Sequence, residues 1–397
     1  MDTRIGFAGL LVLGALVPAA QAQVLVGRSA WKAESDQPHA GFGSDVAAAG
    51  DVNGDGYGDI LVGAYSFNGV ENDEGSAAVF HGSPDGPSKL PDWFAEGGQA
   101  YANFGESVGG AGDVNGDGYD DVIVSTQAYS NDQAYEGRIY VYPGSATGLA
   151  LLPAWAVEGD QAYGGFGTKV ARAGDVNGDG YGDVLVGAPR WNNGQNDEGR
   201  AFVYLGSAAG LVTSPAWHAE SDQRGGLMGY WVASAGDVDG DGYDEVIVGI
   251  NTLAQGESGE GGAFVYRGSA AGLSLQPVWT TESNQFSALA GGVSSGDLDG
   301  DGYSDVLVGY YAYDRDQTNE GRVFAFFGSP SGLTTRSGWT AEGNQRDSYF
   351  GYAVSGAGDV NGDGYDDVLV GAYQFDAGQR NEGRAFAYLG SPRRRLP

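Results

Sequence analysis

Residues 166–189 have the sequence FGTKVARAGDVNGDGYGDVLVGAP, and the octapeptide GDVNGDGY near its centre decides the fold because it recurs. The octapeptide or a close variant occurs six times, with its first aspartate at Asp51, Asp113, Asp175, Asp237, Asp297 and Asp359. Successive aspartates are 62 residues apart, except for 60 between the fourth and the fifth. A fixed period of this kind is typical of repeat architectures, in which each copy is one supersecondary unit.

Two further marks keep register with the octapeptide. A tryptophan precedes each first aspartate by 20 residues, or by 18 in the fifth copy: Trp31, Trp93, Trp155, Trp217, Trp279 and Trp339. A Glu-Gly pair begins 23 residues after each first aspartate: Glu74, Glu136, Glu198, Glu260, Glu320 and Glu382. We expect the tryptophans to pack between neighbouring units, since their spacing follows the repeat.

Each copy has the pattern of four short strands. In the third copy, strands are predicted over Phe166 to Ala173, Val184 to Gly187 and Arg200 to Leu205, and a fourth around Trp217. A glycine-rich polar loop, Asp175 to Asp183, joins the first two, and no segment keeps a helical period. The sequence therefore predicts an all-β protein, a six-bladed β-propeller of four-stranded antiparallel blades.

The two ends of the repeated region complement each other. The segment Ala30 to Glu34 resembles a fourth strand without a preceding blade, and the last copy stops at its third strand, Ala385 to Leu389. We expect the N-terminal strand to complete the last blade and close the ring, which removes exposed strand edges. A truncated ring of the seven-bladed type and an open solenoid are the alternatives.

The N-terminus has the features of a secretory signal peptide. Arg4 precedes the apolar stretch Ile5 to Val17, and Ala20-Gln21-Ala22 offers a cleavage site. We therefore divide the chain into a signal peptide (1–22), a propeller (23–392) and a basic tail (393–397), which contains Arg393 to Arg395. The expected location is extracellular or at the cell surface, or the periplasm in a Gram-negative source.

Composition narrows the classes of partner. The formal charge of −32 arises from 52 acidic and 20 basic residues, and such a surface repels nucleic acid and anionic lipid and attracts cations. No later apolar segment predicts membrane insertion. The chain has no cysteine, and bound metal is one candidate for the stabilising role that disulfides have in other secreted proteins. We expect a monomer.

The repeated loops have the pattern D-x-[DN]-x-D-G-x-x-[DE]. Oxygen-bearing side chains at positions 1, 3, 5 and 9 and the carbonyl at position 7 can converge on one hard cation, and glycine at position 6 permits the bend. We predict up to six Ca²⁺ ions, held by Asp51, Asn53, Asp55, Tyr57 and Asp59; Asp113, Asn115, Asp117, Tyr119 and Asp121; Asp175, Asn177, Asp179, Tyr181 and Asp183; Asp237, Asp239, Asp241, Tyr243 and Glu245; Asp297, Asp299, Asp301, Tyr303 and Asp305; Asp359, Asn361, Asp363, Tyr365 and Asp367.

Two alternatives to this interpretation exist. An EF-hand needs a bidentate glutamate at position 12 and flanking helices, but position 12 is valine in every copy and lies in a β-like run. A metal-free Asx turn would use the same residue types. Six copies, each with three or four carboxylates, would crowd like charges without a cation, which favours metal.

The copies resemble the FG-GAP repeats of the integrin α-chain β-propeller. Phe166-Gly167 precedes the third loop and Gly187-Ala188-Pro189 follows it, and Phe-Gly recurs at Phe42, Phe104 and Phe350. The resemblance implies a propeller whose hairpin loops bind Ca²⁺, carried on extracellular adhesion or ligand-binding proteins. The chain departs from the family at Met228-Gly229 and Ala288-Leu289, and in having six copies that all carry the loop rather than seven blades.

The loops after the second strand vary most between copies, and variable loops on a repeated scaffold are where binding usually occurs. The candidate ligand-face residues are Tyr65, Phe67, Tyr129, Arg190, Trp191, Tyr311, Tyr313, Arg315, Tyr373 and Phe375. The alternative is that these side chains only fill the mouth of the ring. We expect an adhesion or ligand-binding module for an extracellular protein or glycan, and no enzyme. An extracellular propeller hydrolase or lyase is the alternative, but the three histidines, His39, His81 and His218, occupy unrelated places in their copies.

Overall fold

The computed structural model describes residues 31–253 and 259–392. The predicted signal peptide, the basic tail and Ala30 lie outside the described residues. The described part contains no helix, and therefore none long and apolar enough to cross a membrane. Its regular structure consists of β-strands alone, which confirms the all-β prediction.

The strands form six sheets, which we number as blades in chain order. Blade 1 has β1 (Phe42–Gly50), β2 (Asp59–Ala64), β3 (Ser76–Phe80) and β4 (Trp93–Glu96); blade 2 has β5 (Phe104–Gly112), β6 (Asp121–Thr126), β7 (Arg138–Tyr142) and β8 (Trp155–Glu158); blade 3 has β9 (Lys169–Gly174), β10 (Asp183–Ala188), β11 (Arg200–Tyr204) and β12 (Trp217–Glu220). Blade 4 has β13 (Met228–Gly236), β14 (Glu245–Leu253), β15 (Glu260–Tyr266) and β16 (Trp279–Glu282); blade 5 has β17 (Ala290–Gly296), β18 (Asp305–Tyr310), β19 (Arg322–Phe326) and β20 (Trp339–Glu342); blade 6 has β21 (Phe350–Gly358), β22 (Asp367–Ala372) and β23 (Arg384–Tyr388).

Every blade is an antiparallel meander in which strands pair in chain order. The first strands lie innermost and pack in succession, β1 on β5, then β9, β13, β17 and β21. They surround a central channel. The six-bladed propeller predicted from the repeats is confirmed. In this arrangement the loops after first and third strands share one face of the ring, and the loops after second strands share the other with the connections between blades.

Each interior blade, from blade 2 to blade 5, is buried on both faces because its strands present apolar side chains to two neighbours. In β10, all residues from Asp183 to Ala188 are buried. Val184 and Val186 pack towards blade 2, and Leu185 packs towards blade 4. Because side chains alternate along a strand, successive residues of a second strand pack against the preceding blade and the following blade in turn. Both positions are buried, which explains the continuous apolar runs of the second strands.

The repeated tryptophans join one blade to the next. Trp93 of β4 donates its indole N–H to the carbonyl oxygen of Ala150 in blade 2 at 2.9 Å. Its ring lies edge-on to Tyr142 with centroids 4.8 Å apart. Trp217 makes the same two contacts with Ser274 and Tyr266 of blade 4. The prediction that these tryptophans serve blade packing is confirmed.

Closure of the ring by the N-terminal strand is the one architectural prediction that is wrong. Residues 31–35 are not a strand, and within residues 31–253 and 259–392 blade 6 has three strands with no fourth paired to β23. Trp31 nevertheless donates its indole N–H to Ser88 at 2.7 Å and lies edge-on to Phe80. Trp31 thus contacts blade 1 in the way that Trp93 contacts blade 2, but the described residues around it do not pair with blade 6.

The ring consequently has a seam between blade 6 and blade 1. Among the described residues, β21 and β1 do not pack as neighbouring innermost strands do. Leu369 of blade 6 is 40% exposed, whereas Leu307 at the same place in blade 5 is fully buried. Val46 of blade 1 is 61% exposed, against 2% for its counterpart Val108. Both faces of the seam therefore lack the apolar neighbour that every interior blade has.

Candidate metal loops and central channel

The first aspartate of each repeated loop organises the turn. In the third loop, Asp175 Oδ1 accepts the main-chain N–H groups of Gly178 and Asp179 at 2.7 and 3.1 Å. Its Oδ2 accepts the N–H of Gly180 at 2.8 Å. These bonds turn the backbone around the carboxylate, so that the following side chains point back towards it.

Positions 3 and 5 complete the inner side of the loop. Asn177 accepts the N–H of Asp179 at 3.1 Å and donates its amide N–H to the Asp179 carboxylate at 2.8 Å. The other oxygen of Asp179 accepts the N–H of Tyr181 at 3.1 Å. The loop thus brings the side-chain oxygens of positions 1, 3 and 5 together, as the cation prediction requires.

Carboxylates converge most closely in the fourth and fifth loops. One oxygen each from Asp297, Asp299 and Asp301 lie within 4.8 Å of one another. In the fourth loop the same holds for Asp237, Asp239 and Glu245. All of these donors are hard oxygens in a flexible loop, a set that suits Ca²⁺ better than Zn²⁺ or Cu²⁺.

The acid at position 9 has a structural task that the sequence did not show. Asp183 is fully buried; its Oδ2 accepts the N–H of Val176 and its Oδ1 the N–H of Gly206, both at 2.9 Å. It thereby joins the metal loop to the end of β11. Burial raises the pKa of Asp183 to about 7, although the two N–H groups act in the opposite direction. The same pair of bonds recurs at Asp59, Asp121, Glu245, Asp305 and Asp367.

The loops of neighbouring blades are also bonded to one another. The main-chain N–H of Asp120 donates to the carbonyl of Asp51 at 3.2 Å, and that of Gly182 donates to Asp113 at 2.8 Å. The same bond occurs at the next three junctions, from Asp244 to Asp175, from Ser304 to Asp237 and from Asp366 to Asp297. The position-7 tyrosines lie over the preceding loop, and a side chain at Gly116 would collide with the ring of Tyr181.

The candidate ligand-face residues separate into two rows. Phe67, Tyr129, Trp191, Tyr313 and Phe375 lie against the third strands of their own blades or the adjacent fourth strand. The Trp191 ring is edge-on to Phe202, and the Arg200 guanidinium lies 4.8 Å from its centroid. These side chains are built into the blade, a role that neither the ligand-face prediction nor the alternative of filling the mouth of the ring foresaw. Arg190 is exposed, and Arg315 pairs with Glu342 at 2.7 Å.

The second row reaches the mouth of the channel. Tyr311 and Tyr373 belong to a continuous group of aromatic rings contributed by blades 4, 5 and 6, which we call the aromatic wall. Its members are Tyr230, Trp231, Tyr311, Tyr349, Tyr352 and Tyr373. Tyr349 and Tyr373 stack with centroids 5.4 Å apart. Trp231 lies edge-on to Tyr352, and its indole nitrogen is buried without a hydrogen-bond partner in the described residues.

Blades 1 to 3 supply a polar wall. Lys169 of β9 reaches Asp45 of β1 at 2.8 Å, and the same carboxylate accepts the Ser107 hydroxyl at 2.9 Å. The cavity between the walls has a volume of about 1030 Å³ and is lined by all six innermost strands. Tyr65 lies at its rim. Aromatic rings opposite charged groups make a site with one apolar and one polar side.

Four members of the aromatic wall, Tyr230, Trp231, Tyr349 and Tyr352, were missed from the sequence. The variable loops after second strands supplied the sequence-based candidates, whereas these residues come from first strands and the connections before them. A signal was available for Trp231, because it and Trp191 are the two tryptophans that do not follow the 20-residue register.

Comparisons with known proteins place the chain among integrin-like repeats. Residues 42–80, 104–142, 166–204 and 350–388 match the FG-GAP repeat, and residues 237–308 match the FG-GAP-like repeat. The second match thus covers the fourth copy from its repeated loop onward and the fifth copy as far as its second strand.

Curated relatives are integrin α chains. The chain is 32% identical to integrin alpha pat-2 of Caenorhabditis briggsae over 247 residues, which are 55% of this chain and 19% of that protein. It is 36% identical to human integrin alpha-IIb over 158 residues, 38% of this chain and 15% of that protein. The matches span less than a fifth of these relatives. The V. cholerae biofilm matrix protein Bap1 superposes with a TM-score of 0.38 at 18% identity over 78% of this chain and 41% of that chain, too low to support an inference.

Proposed function

Because the chain belongs to the FG-GAP repeat β-propellers of the integrin α type, we propose that it is a secreted, calcium-binding module that holds a protein or glycan partner at the mouth of its channel. The proposal includes export by the signal peptide of residues 1–22, with the propeller in residues 23–392. The charge of −32 supports binding of cations and disfavours nucleic acid and anionic lipid as partners.

Calcium is proposed on the chemistry of the donor set. The loops gather hard oxygens from positions 1, 3 and 5, and the backbone already turns around them. A bound Ca²⁺ would offset the repulsion among three or four carboxylates per loop and hold the inter-blade junctions in place. Its proposed role is structural, because both oxygens of the position-9 acid also tie the loop to the blade.

The aromatic wall is the observation that carries the ligand-binding proposal. Six aromatic side chains from three blades form one continuous group, and three of them, Tyr230, Trp231 and Tyr352, line the channel. Tyr373 is 48% exposed, so the surface is accessible from solvent. Aromatic faces provide large contact area at low entropic cost, and a polar wall opposite them can orient a partner.

The test is a binding screen of the purified protein against arrays of glycans and extracellular matrix proteins, in Ca²⁺ and in EGTA. We expect a ligand whose affinity falls at least about tenfold in Trp231→Ala and in Tyr373→Ala, equivalent to about 1.4 kcal/mol. Tyr373→Ala provides a second readout if Trp231→Ala fails to fold.

Tyr101→Ala is the matched control, because Tyr101 is an exposed tyrosine outside the aromatic wall, 57% exposed against 48% for Tyr373. It should leave the affinity unchanged. Equal binding by the wild type, Trp231→Ala and Tyr373→Ala would place the ligand elsewhere, and failure to bind any glycan or matrix protein would contradict the proposed class of partner.

A further inference from the structure

The fourth metal loop already contains a cation, the guanidinium of Arg267. Arg267 directly follows β15, and its Nη2 lies 2.9 Å from Asp239 Oδ2 and 2.7 Å from Asp241 Oδ2. These carboxylates occupy positions 3 and 5 of the loop. The side chains of Asp239 and Asp241 are 12% and 27% exposed and that of Arg267 is 48% exposed, so the carboxylates are shielded from water more than the arginine is.

Arginine occurs at this place in one blade only. The residues that follow the third strand at the same distance from the loop are His81, Pro143, Leu205, Arg267, Phe327 and Leu389. The fourth and fifth loops are also the two with aspartate rather than asparagine at position 3. The fourth loop therefore has a fourth carboxylate and an arginine beside it, and the fifth has a fourth carboxylate and Phe327.

The charges explain what this difference does. Loops with asparagine at position 3 present three negative charges, and the fifth loop presents four. In the fourth loop the positive charge of Arg267 reduces the net negative charge from four to three. It does so by pairing with the oxygens of positions 3 and 5, which a Ca²⁺ ion would need. Ca²⁺ affinity in such loops depends on the charge and number of available oxygen ligands, and an arginine paired with two carboxylates removes both.

We propose that Arg267 is a built-in counter-ion that makes the fourth loop the weakest Ca²⁺ site, so that the propeller fills five loops before the sixth ion binds. This inference rests on the calcium binding proposed above. The fourth loop has this ion pair in addition to the main-chain hydrogen bonds that its first aspartate, Asp237, accepts. Blade 4 should thus hold its loop when free Ca²⁺ is low.

Calorimetric titration of the EGTA-treated full-length protein with Ca²⁺ tests the proposal. We expect five tight sites in the wild type and a sixth whose affinity is at least about tenfold weaker. Arg267→Leu, which introduces the residue found at the same place in blade 3, should remove the weak site, so that the fourth loop binds Ca²⁺ at least as tightly as the loops with asparagine at position 3. Arg336→Leu removes an exposed arginine from the corresponding turn region of blade 5 and should keep the wild-type pattern.

The outcomes separate the two proposals. Six equal sites in the wild type would overturn the role of Arg267 and leave calcium binding intact. Five sites in both the wild type and Arg267→Leu would also overturn it. Absence of any Ca²⁺ binding in the wild type would overturn calcium binding itself. If Arg267→Leu does not fold, the wild-type stoichiometry and Arg267→Lys remain, and the latter should keep one weak site because the positive charge stays.

Discussion

The carboxylate of Asp120 accepts the main-chain N–H of Asp51 at 2.8 Å, so a side chain of the blade 2 loop holds the first residue of the blade 1 loop. We expect Asp120→Ala to lower the free energy of unfolding by about 1.5–3 kcal/mol, the usual contribution of a hydrogen bond to a charged group. It should also weaken Ca²⁺ binding. Denaturant unfolding with and without Ca²⁺ measures both effects.

Ser304→Ala is the control for this junction. Ser304 occupies the position of Asp120 in blade 5, and its main-chain N–H donates to Asp237 at 3.0 Å, a bond that the substitution preserves. Its stability should change by less than about 0.5 kcal/mol. A similar loss in both variants would mean that the Asp120 carboxylate contributes nothing beyond the main-chain bond.

Removal of Ca²⁺ should lower the melting temperature, and the decrease should grow with the number of loops that lose their ion. With free Ca²⁺ about tenfold above the Kd, each occupied loop adds about 1.4 kcal/mol. Asp175→Ala removes the carboxylate that accepts three N–H groups, so it should lower the melting temperature in both Ca²⁺ and EGTA. Asp85→Ala is the control, because Asp85 is an exposed aspartate outside the repeated loops, and it should leave the melting temperature unchanged. An identical melting curve in Ca²⁺ and EGTA would contradict the calcium assignment.

Trp191→Ala should act on stability rather than on ligand binding. The indole packs on Phe202 and on the Arg200 guanidinium, so its loss leaves a gap beside β11. We expect a cost of about 3 kcal/mol in urea unfolding. Tyr101→Ala, at an exposed aromatic, should cost less than about 0.5 kcal/mol. If Trp191→Ala has wild-type stability but a weakened affinity for the ligand, Trp191 contacts the ligand and the packing role proposed here is wrong.

The seam predicts unequal costs for two equivalent leucines. Leu307→Ala empties a fully buried position and should cost about 3 kcal/mol, whereas Leu369→Ala at the 40% exposed position should cost less than about 1 kcal/mol. Both variants are compared by denaturant unfolding under the same conditions. Equal losses would show that blades 6 and 1 pack together in solution.

The blades and the geometry of the repeated loops could be predicted because they depend on local sequence repeated six times. The third-copy strands lie within a few residues of their predicted bounds, for example Arg200–Tyr204 against a prediction of Arg200 to Leu205. The loop oxygens converge because Asp175 and Gly180 determine the turn within five residues of each other. Interactions between residues so close in the chain can be predicted from the sequence alone.

Closure, the aromatic wall and Arg267 depend on relations between copies. Leu307 and Leu369 lie in identical DVLVG segments, and only the presence or absence of a packed neighbour distinguishes them. Tyr352 and Trp231 come together across the channel from blades that are not adjacent. Arg267 becomes informative only when the place after the third strand is compared across all blades. Tertiary geometry, rather than strand propensity, decides these three features.

A seam changes how a ring should come apart. A closed propeller has no end at which to begin, but six blades with a seam form a one-dimensional array in which blades 1 and 6 each lack one neighbour. Opening should start at these two blades and proceed inward, so amide hydrogens should exchange fastest in β22 and β2 and slowest in β10 and β14. The local stability of each blade would then depend on its position along the array, and the central blades would unfold last.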